Sequence, residues 1–199
     1  MTDYEKLQRY QFRSLTSKLP RAAVMMLLTE EDDPHVILTR RSEILNTHRG
    51  QVAFPGGMQD HGDATLLATG LREVYEEIGL PASSIKHQAR LSDVWSKHGI
   101  LVTPFVGSVA PELPMRIDTF ELESVFKVPL AFFLNEKPAR LDNLGFGNLE
   151  LRVPAWYFGQ YHIWGMTAVV LMEFFHVAFE QMLGHVSGDL QSELDRLVS

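Results

Sequence analysis

Three glutamates define the chemistry open to this sequence. Glu73, Glu76 and Glu77 stand at i, i+3 and i+4, so in a helix they share one face. Like charges at that spacing cost an isolated helix about 0.2–0.5 kcal/mol per pair, and Arg72 is the only Lys or Arg between Gly50 and Lys86. A hard divalent cation removes the penalty. Mg²⁺ or Mn²⁺ takes carboxylate oxygens and leaves its other positions to water and substrate phosphates. A solvated acidic face is the alternative that spacing alone leaves open.

The helix that must present these carboxylates reads from about Ala64 to Ile78 and is stopped by Gly79 and Pro81. On a wheel of about 100° per residue, Leu67, Leu71, Val74 and Ile78 form a narrow core-facing stripe, with the glutamates on the opposite face. Strand-like runs precede it at Ala22–Leu28 and Val36–Thr39, a hairpin around the turn-forming Glu30–Pro34. Others follow at Ile85–Val94, Leu101–Ala110 and Ser124–Pro129, then irregular Pro/Gly/Asn-rich chain. The apolar stretch Ile163 to Phe179 reads as a buried helix, and a short amphipathic helix is expected near the end. Helix or coil is expected up to about Leu19. The expectation is an α/β protein with a mixed sheet and helices on its faces.

Composition narrows the function. The 199 residues and 22.6 kDa suit one domain, residues 1–199, with about 20 N-terminal residues and a C-terminal helix appended. At 45% hydrophobic, 22% charged and a mean hydropathy of -0.05, the chain has a globular composition. It has no cysteine, which excludes disulfide scaffolds, thiolate metal sites and a cysteine nucleophile. A net charge of -7 argues against an extended nucleic-acid or anionic-membrane footprint. The N-terminus, MTDYEKLQRYQFRSL, lacks the apolar run of a secretory signal, so a cytoplasmic location is expected in a bacterial host. P-loop, HEXXH and GXSXG strings do not occur, and the histidines show no zinc spacing. Trp156, Trp164 and the late phenylalanines read as core or as a homodimer interface rather than base-stacking groups.

The stretch from Gly57 to Leu80 resembles the Nudix box. Its second half, Arg72-Glu73-Val74-Tyr75-Glu76-Glu77-Ile78-Gly79-Leu80, matches REUXEEXGU at every specified position, and Gly56-Gly57 supplies the start. The spacing from Gly57 to Arg72 is one residue longer than in the standard box, and Asp63 stands where its first glutamate is expected. Asp63 is either the N-cap of the helix or a group near the metal. Upstream, Ile37-Leu38-Thr39-Arg40-Arg41-Ser42 and Gly50-Gln51-Val52-Ala53-Phe54-Pro55-Gly56-Gly57 resemble the signature of Nudix coenzyme A pyrophosphatases, which carry the same longer spacing with an aspartate. Asn46 occupies that signature's arginine position, where His48 or Arg49 are the nearby substitutes. Leu101–Pro104, Val125–Leu130 and Trp164–Ala168 continue the likeness, which covers residues 20 to 180.

The resemblance implies the Nudix fold, an α/β/α sandwich with a mixed sheet, and Mg²⁺- or Mn²⁺-dependent hydrolysis of a small-molecule diphosphate resembling coenzyme A. It implies Glu73, Glu76, Glu77 and the Gly57 carbonyl as metal ligands, with Arg72 orienting a catalytic carboxylate. An ordinary surface ion pair is the other reading of Arg72. In this fold the base often lies outside the box, and Glu121 is the candidate, with Glu123 its competitor. Arg40, Arg41, Ser42, His48 and Arg49 are the expected substrate anchors, the arginines and histidine forming the densest cationic cluster in an acidic chain. Coenzyme A or acyl-coenzyme A would yield 3′,5′-ADP and 4′-phosphopantetheine or its acyl form. ADP-ribose, NADH or a dinucleoside polyphosphate are alternative substrates, and a non-catalytic nucleotide-binding module is a third possibility.

Overall fold

A computed structural model describes residues 4–44, 50–146, 149–181 and 183. Its central strand, β1 (Arg21–Thr29), is apolar on both faces because both are covered. Met26 and Leu28 point into one core, whereas Ala23, Met25 and Leu27 point into the other. β2 (His35–Arg41) follows by a hairpin, pairing antiparallel with β1 through Leu27 and Ile37. The next strands are β3 (Val52–Ala53) and β4 (Gly56–Met58), paired antiparallel with β2 and β1.

After helix α2 (Leu66–Ile78) come β5 (Lys86–Arg90), β6 (Val94–Trp95), β7 (Leu101–Val109) and β8 (Leu122–Pro129). β7 runs parallel to β1 over its whole length, while β5 and β6 pair antiparallel with β7 and β8 with β2. The sheet is therefore mixed. α2 covers one face with Val74 and Ile78, and α4 (Gly165–Phe179) covers the other with Met172, Phe174 and Phe175, giving the α/β/α layers. None of the described helices is long and apolar enough to cross a membrane.

Two expectations need correction. The single strand expected over Ile85–Val94 breaks between β5 and β6, because Ser92 and Asp93 bond elsewhere. The Ser92 amide donates to buried Glu173 of α4 at 3.0 Å, and Asp93 accepts from Arg21, Arg90, Thr103 and the Leu15 amide. The chain after Pro129 is not irregular. It forms α3 (Leu130–Asn135) and a three-stranded antiparallel sheet of β9 (Arg140–Phe146), β10 (Leu149–Phe158) and β11 (Tyr161–Ile163). Trp156 and the α4 phenylalanines Phe174 and Phe175 are core, at 1% exposure or less. The N-terminal segment, with α1 (Tyr4–Arg9), is fastened to the domain by buried Leu7 and by a 2.7 Å bond from the Tyr10 hydroxyl to Glu173. The amphipathic helix expected near the end lies outside the described residues.

Candidate active site

Thr65, not Asp63, caps α2: its hydroxyl accepts the Ala68 amide at 3.1 Å, and the helix starts at Leu66 rather than about Ala64. Asp63 instead grips Arg72, accepting from Nε at 3.1 Å and from a terminal nitrogen at 3.0 Å. The N-cap reading of Asp63 is thereby corrected: the loop from Met58 to Thr65 folds back over the helix and sets Asp63 beside the glutamates through Arg72. The remaining Arg72 donors go to the Met58 carbonyl (2.9 Å), Glu73 (2.8 Å) and Glu76 (2.7 Å). A guanidinium has five N–H donors. All five are engaged inside the protein, which leaves none for a ligand and makes Arg72 a bracket for two of the three glutamates.

The glutamate face is only partly open. The wheel puts Glu77 opposite the core, yet it is 4% exposed. The short strand β4 roofs that side of the helix, and the Gly56 amide donates to Glu77 at 3.0 Å. Glu73 lies against Gly57, where a Cβ would fall 2.5 Å from the Glu73 carboxyl carbon. Glycine is needed here for space, and the gap it leaves brings a carboxylate to the backbone of β4. Burial, partly offset by the Gly56 amide, pushes the Glu77 carboxyl up to about 8, with Glu73 and Glu121 adding repulsion. Burial likewise raises Glu73, against the pull of Arg72 and with a push from Glu76 and Glu121.

The structure separates two expected anchors. Strand alternation sets Arg41 on the α2 face with Ile37 and Arg40 on the other with Val36 and Leu38. Arg41 reaches within 3.9 Å of Glu77, and its Nε is buried with no hydrogen-bond partner among the described residues. Arg40 pairs with Glu43 and Glu123, each at 3.1 Å. That pairing also separates the two candidate bases. A bulge between Arg40 and Arg41, with Glu123 the extra residue on β8, turns Glu123 to Arg40. Glu121, exposed just before β8, faces Glu73 and Glu77 closely enough to repel both. Ser42 is buried, its amide donating to the Glu121 carbonyl at 2.8 Å. Asn46, His48 and Arg49 lie outside the described residues.

Five carboxylates (Asp63, Glu73, Glu76, Glu77 and Glu121) thus meet two guanidinium groups, Arg72 and Arg41, a formal excess of three negative charges. Among the described residues, no three acidic or histidine side chains converge into a ready-made metal cage, since Arg72 sits between Glu73 and Glu76. The donor set still fits a hard cation. It consists of oxygen donors only, burial raises the pKa of Glu77 and of half-buried Glu73, and the gap left by Gly57 brings the Glu73 carboxylate against the backbone of β4. Sequence reasoning missed the roles of Asp63 and of the Gly56 amide. The longer spacing of the box was the one signal for the former.

Comparison with known proteins shows the family and the fold. The NUDIX domain model matches residues 19–143. Uncharacterized Nudix hydrolases called NudL, from Escherichia coli and Shigella boydii, are 39% identical over 169 residues, spanning 84% of this chain and 88% of theirs. A MutT/nudix family protein from Enterococcus faecalis shares the fold, with a TM-score of 0.57 at 17% identity, covering 92% of this chain and 70% of that one. Nudix hydrolases generally use divalent metal cations and act on nucleoside diphosphate derivatives. With box, fold and relatives in agreement, the chain belongs to the Nudix hydrolase family.

Proposed function

We propose that this Nudix hydrolase cleaves the diphosphate of coenzyme A or an acyl-coenzyme A to 3′,5′-ADP and 4′-phosphopantetheine or its acyl form. One observation carries the reading: the segment resembling the coenzyme A signature folds onto the box. Arg41 and Gly56, one from each part of that signature, both meet Glu77 of α2. A diphosphate diester is a dianion that repels nucleophiles, so catalysis needs charge neutralisation and a base for the attacking water.

Glu73, Glu76, Glu77 and the Gly57 carbonyl are the groups that would hold Mg²⁺ or Mn²⁺. The cation, when bound, neutralises charge developing on the phosphoryl oxygens. Arg72 fixes the directions of Glu73 and Glu76. Arg41, whose buried Nε has no hydrogen-bond partner among the described residues, takes a phosphate oxygen by a charge-assisted bond. Glu121 accepts the proton of the water, since the other three glutamates serve as ligands.

Asn46, where the signature has arginine, favours a second reading in which another diphosphate such as ADP-ribose or NADH is the substrate. The deciding experiment incubates purified protein and Mg²⁺ or Mn²⁺ with coenzyme A, acetyl-coenzyme A, ADP-ribose, NADH and a dinucleoside polyphosphate, and identifies products by mass spectrometry. Highest kcat/KM on coenzyme A or its thioester, with 3′,5′-ADP as product, supports the proposal. Faster turnover of ADP-ribose or NADH replaces it with the second reading.

A further inference from the structure

A helix leaves its last carbonyls without intrahelical partners. Here the segment before β8 supplies two. The Arg116 amide donates to the Ile78 carbonyl and the Asp118 amide to the Glu77 carbonyl, both at 2.9 Å. The chain approaches so closely that a Cβ on Gly79 would lie 3.1 Å from Arg116. The turn that carries Glu121 is thus seated on the end of the helix that carries Glu73, Glu76 and Glu77.

Asp118 then closes the turn. Its carbonyl accepts the Leu122 amide at 2.9 Å and the Glu121 amide at 3.3 Å, and its carboxylate Oδ1 accepts the Phe120 amide at 2.9 Å. Beyond the turn, Leu122 is buried and the Glu121 carbonyl holds the Ser42 amide. Between these anchors the tip is not held by packing, since Phe120 is 80% exposed. The Asp118 carboxylate adds a side-chain bond to the main-chain bonds of this turn, at Phe120, one residue before Glu121.

We infer that Asp118 is a positioning residue for the reaction, setting the reach of the Glu121 carboxylate toward the metal-ligand face. The inference rests on the reading of Glu121 as the base. A base must lie within about 2.6–3.2 Å of the proton it takes, and a displacement of about 1 Å costs on the order of 10²-fold in rate. Asp118 itself touches no reacting atom. What it supplies is an acceptor oxygen, which asparagine also carries at the same place.

The test compares Asp118→Ala, Asp118→Asn and Asp118→Glu in the full-length enzyme, alone and with Glu121→Gln, on whichever diphosphate the wild type turns over best. Asp118→Ala is expected to lower kcat by roughly 10–10²-fold with KM and the Mg²⁺ concentration for half-maximal rate unchanged. Asp118→Asn, which keeps the Oδ1 acceptor, is expected to stay within about twofold of wild type. Asp118→Glu, which keeps the charge but moves the acceptor by one methylene, is expected to fall with the alanine variant and covers the case in which that variant does not fold. In the Glu121→Gln background, Asp118→Ala is expected to add no further loss. An Asp118→Asn enzyme as slow as Asp118→Glu, or losses that multiply in the double variant, overturns the inference. If Glu121→Gln is slow while Asp118→Ala and Asp118→Glu are as fast as wild type, the inference fails and the base assignment stands. If Glu121→Gln is as fast as wild type, both fall.

Discussion

Two adjacent glycines should fail in opposite ways when replaced by alanine. At Gly57 a Cβ would sit 2.5 Å from the carboxyl carbon of Glu73 and 2.5–2.6 Å from its oxygens. Ordinary carbon contacts need roughly 3.5 Å, so the carboxylate must retreat by about 1 Å. That retreat is energetically cheap, because the displaced atoms end a flexible side chain and an ion pair to Arg72 of this exposure is worth about 1 kcal/mol or less. Its catalytic effect is large, on the order of 10²-fold when a group that must meet metal or substrate moves that far. At Gly56 the added Cβ would fall 2.3 Å from the Ala23 carbonyl and 2.6 Å from the Val24 Cα, both main chain of the central strand, at φ 155. That collision must be relieved by shifting β4 from β1. The expected result is that Gly57→Ala loses roughly 10²-fold in kcat/KM while its metal-free Tm stays within about 3 °C of wild type, the shift that about 1 kcal/mol gives a chain of this size. Gly56→Ala is expected to lower Tm well beyond that. Diffraction or NMR on Gly57→Ala would check the displacement of Glu73. A Gly57→Ala enzyme of near-native activity would refute the reasoning, as would one destabilised as much as Gly56→Ala.

The remaining expectations concern charge and protons. Glu121→Gln should lower kcat roughly 10²–10⁴-fold with little change in KM, whereas Glu123→Gln, at a residue bonded to Arg40, should stay near native; the reverse pattern reassigns the base. Exhaustive EDTA treatment should abolish turnover, and Glu76→Gln should lower kcat by roughly 10²-fold without lowering the metal-free Tm. Because the folded metal-free protein holds the Glu77 proton up to about 8, above the ordinary 4.5, stability from that group is complete below about pH 4.5 and is lost as pH rises toward 8. Metal-free wild type should therefore melt lower at pH 8 than at pH 5.5 by more than Glu77→Gln does, and saturating Mg²⁺ should narrow the gap; equal slopes in both proteins would show that Glu77 does not titrate in this window.

What the sequence made legible follows from how local each signal was. The apolar stripe and stop residues of α2 located that helix to within two residues, and all four of its stripe residues pack on the core. The burial of Glu77 was not readable, because it depends on Gly56–Met58, a strand of three residues with no hydrophobic pattern that exists only by pairing with β1. The place of Asp63 before a helix suggests a cap, but its role comes from a fold-back of nine residues to Arg72. The opposite facing of Arg40 and Arg41 could have been read. Adjacent residues in a strand point to opposite faces, so the two arginines cannot form one cluster. Asn143, Gly145 and Pro154 hide β9 and β10 in the sequence, though Leu149, Leu151 and Val153 alternate as a strand should.

β1 is the wall common to both hydrophobic layers, with Met25 and Leu27 on one side and Met26 and Leu28 on the other, all at 0% exposure. A wall with two occupied sides cannot be given up by one of them alone. Loosening α2 uncovers a strand on which α4 also depends, so the layer that carries the carboxylates cannot melt ahead of the rest. Whatever binds at that face then strengthens the whole molecule: a ligand at 100 times its Kd adds about 2.7 kcal/mol to the single unfolding step, roughly 5–11 °C in a protein of this length. A melting curve of the intact chain is in this way a direct gauge of occupancy at a site built where one outer layer meets the sheet.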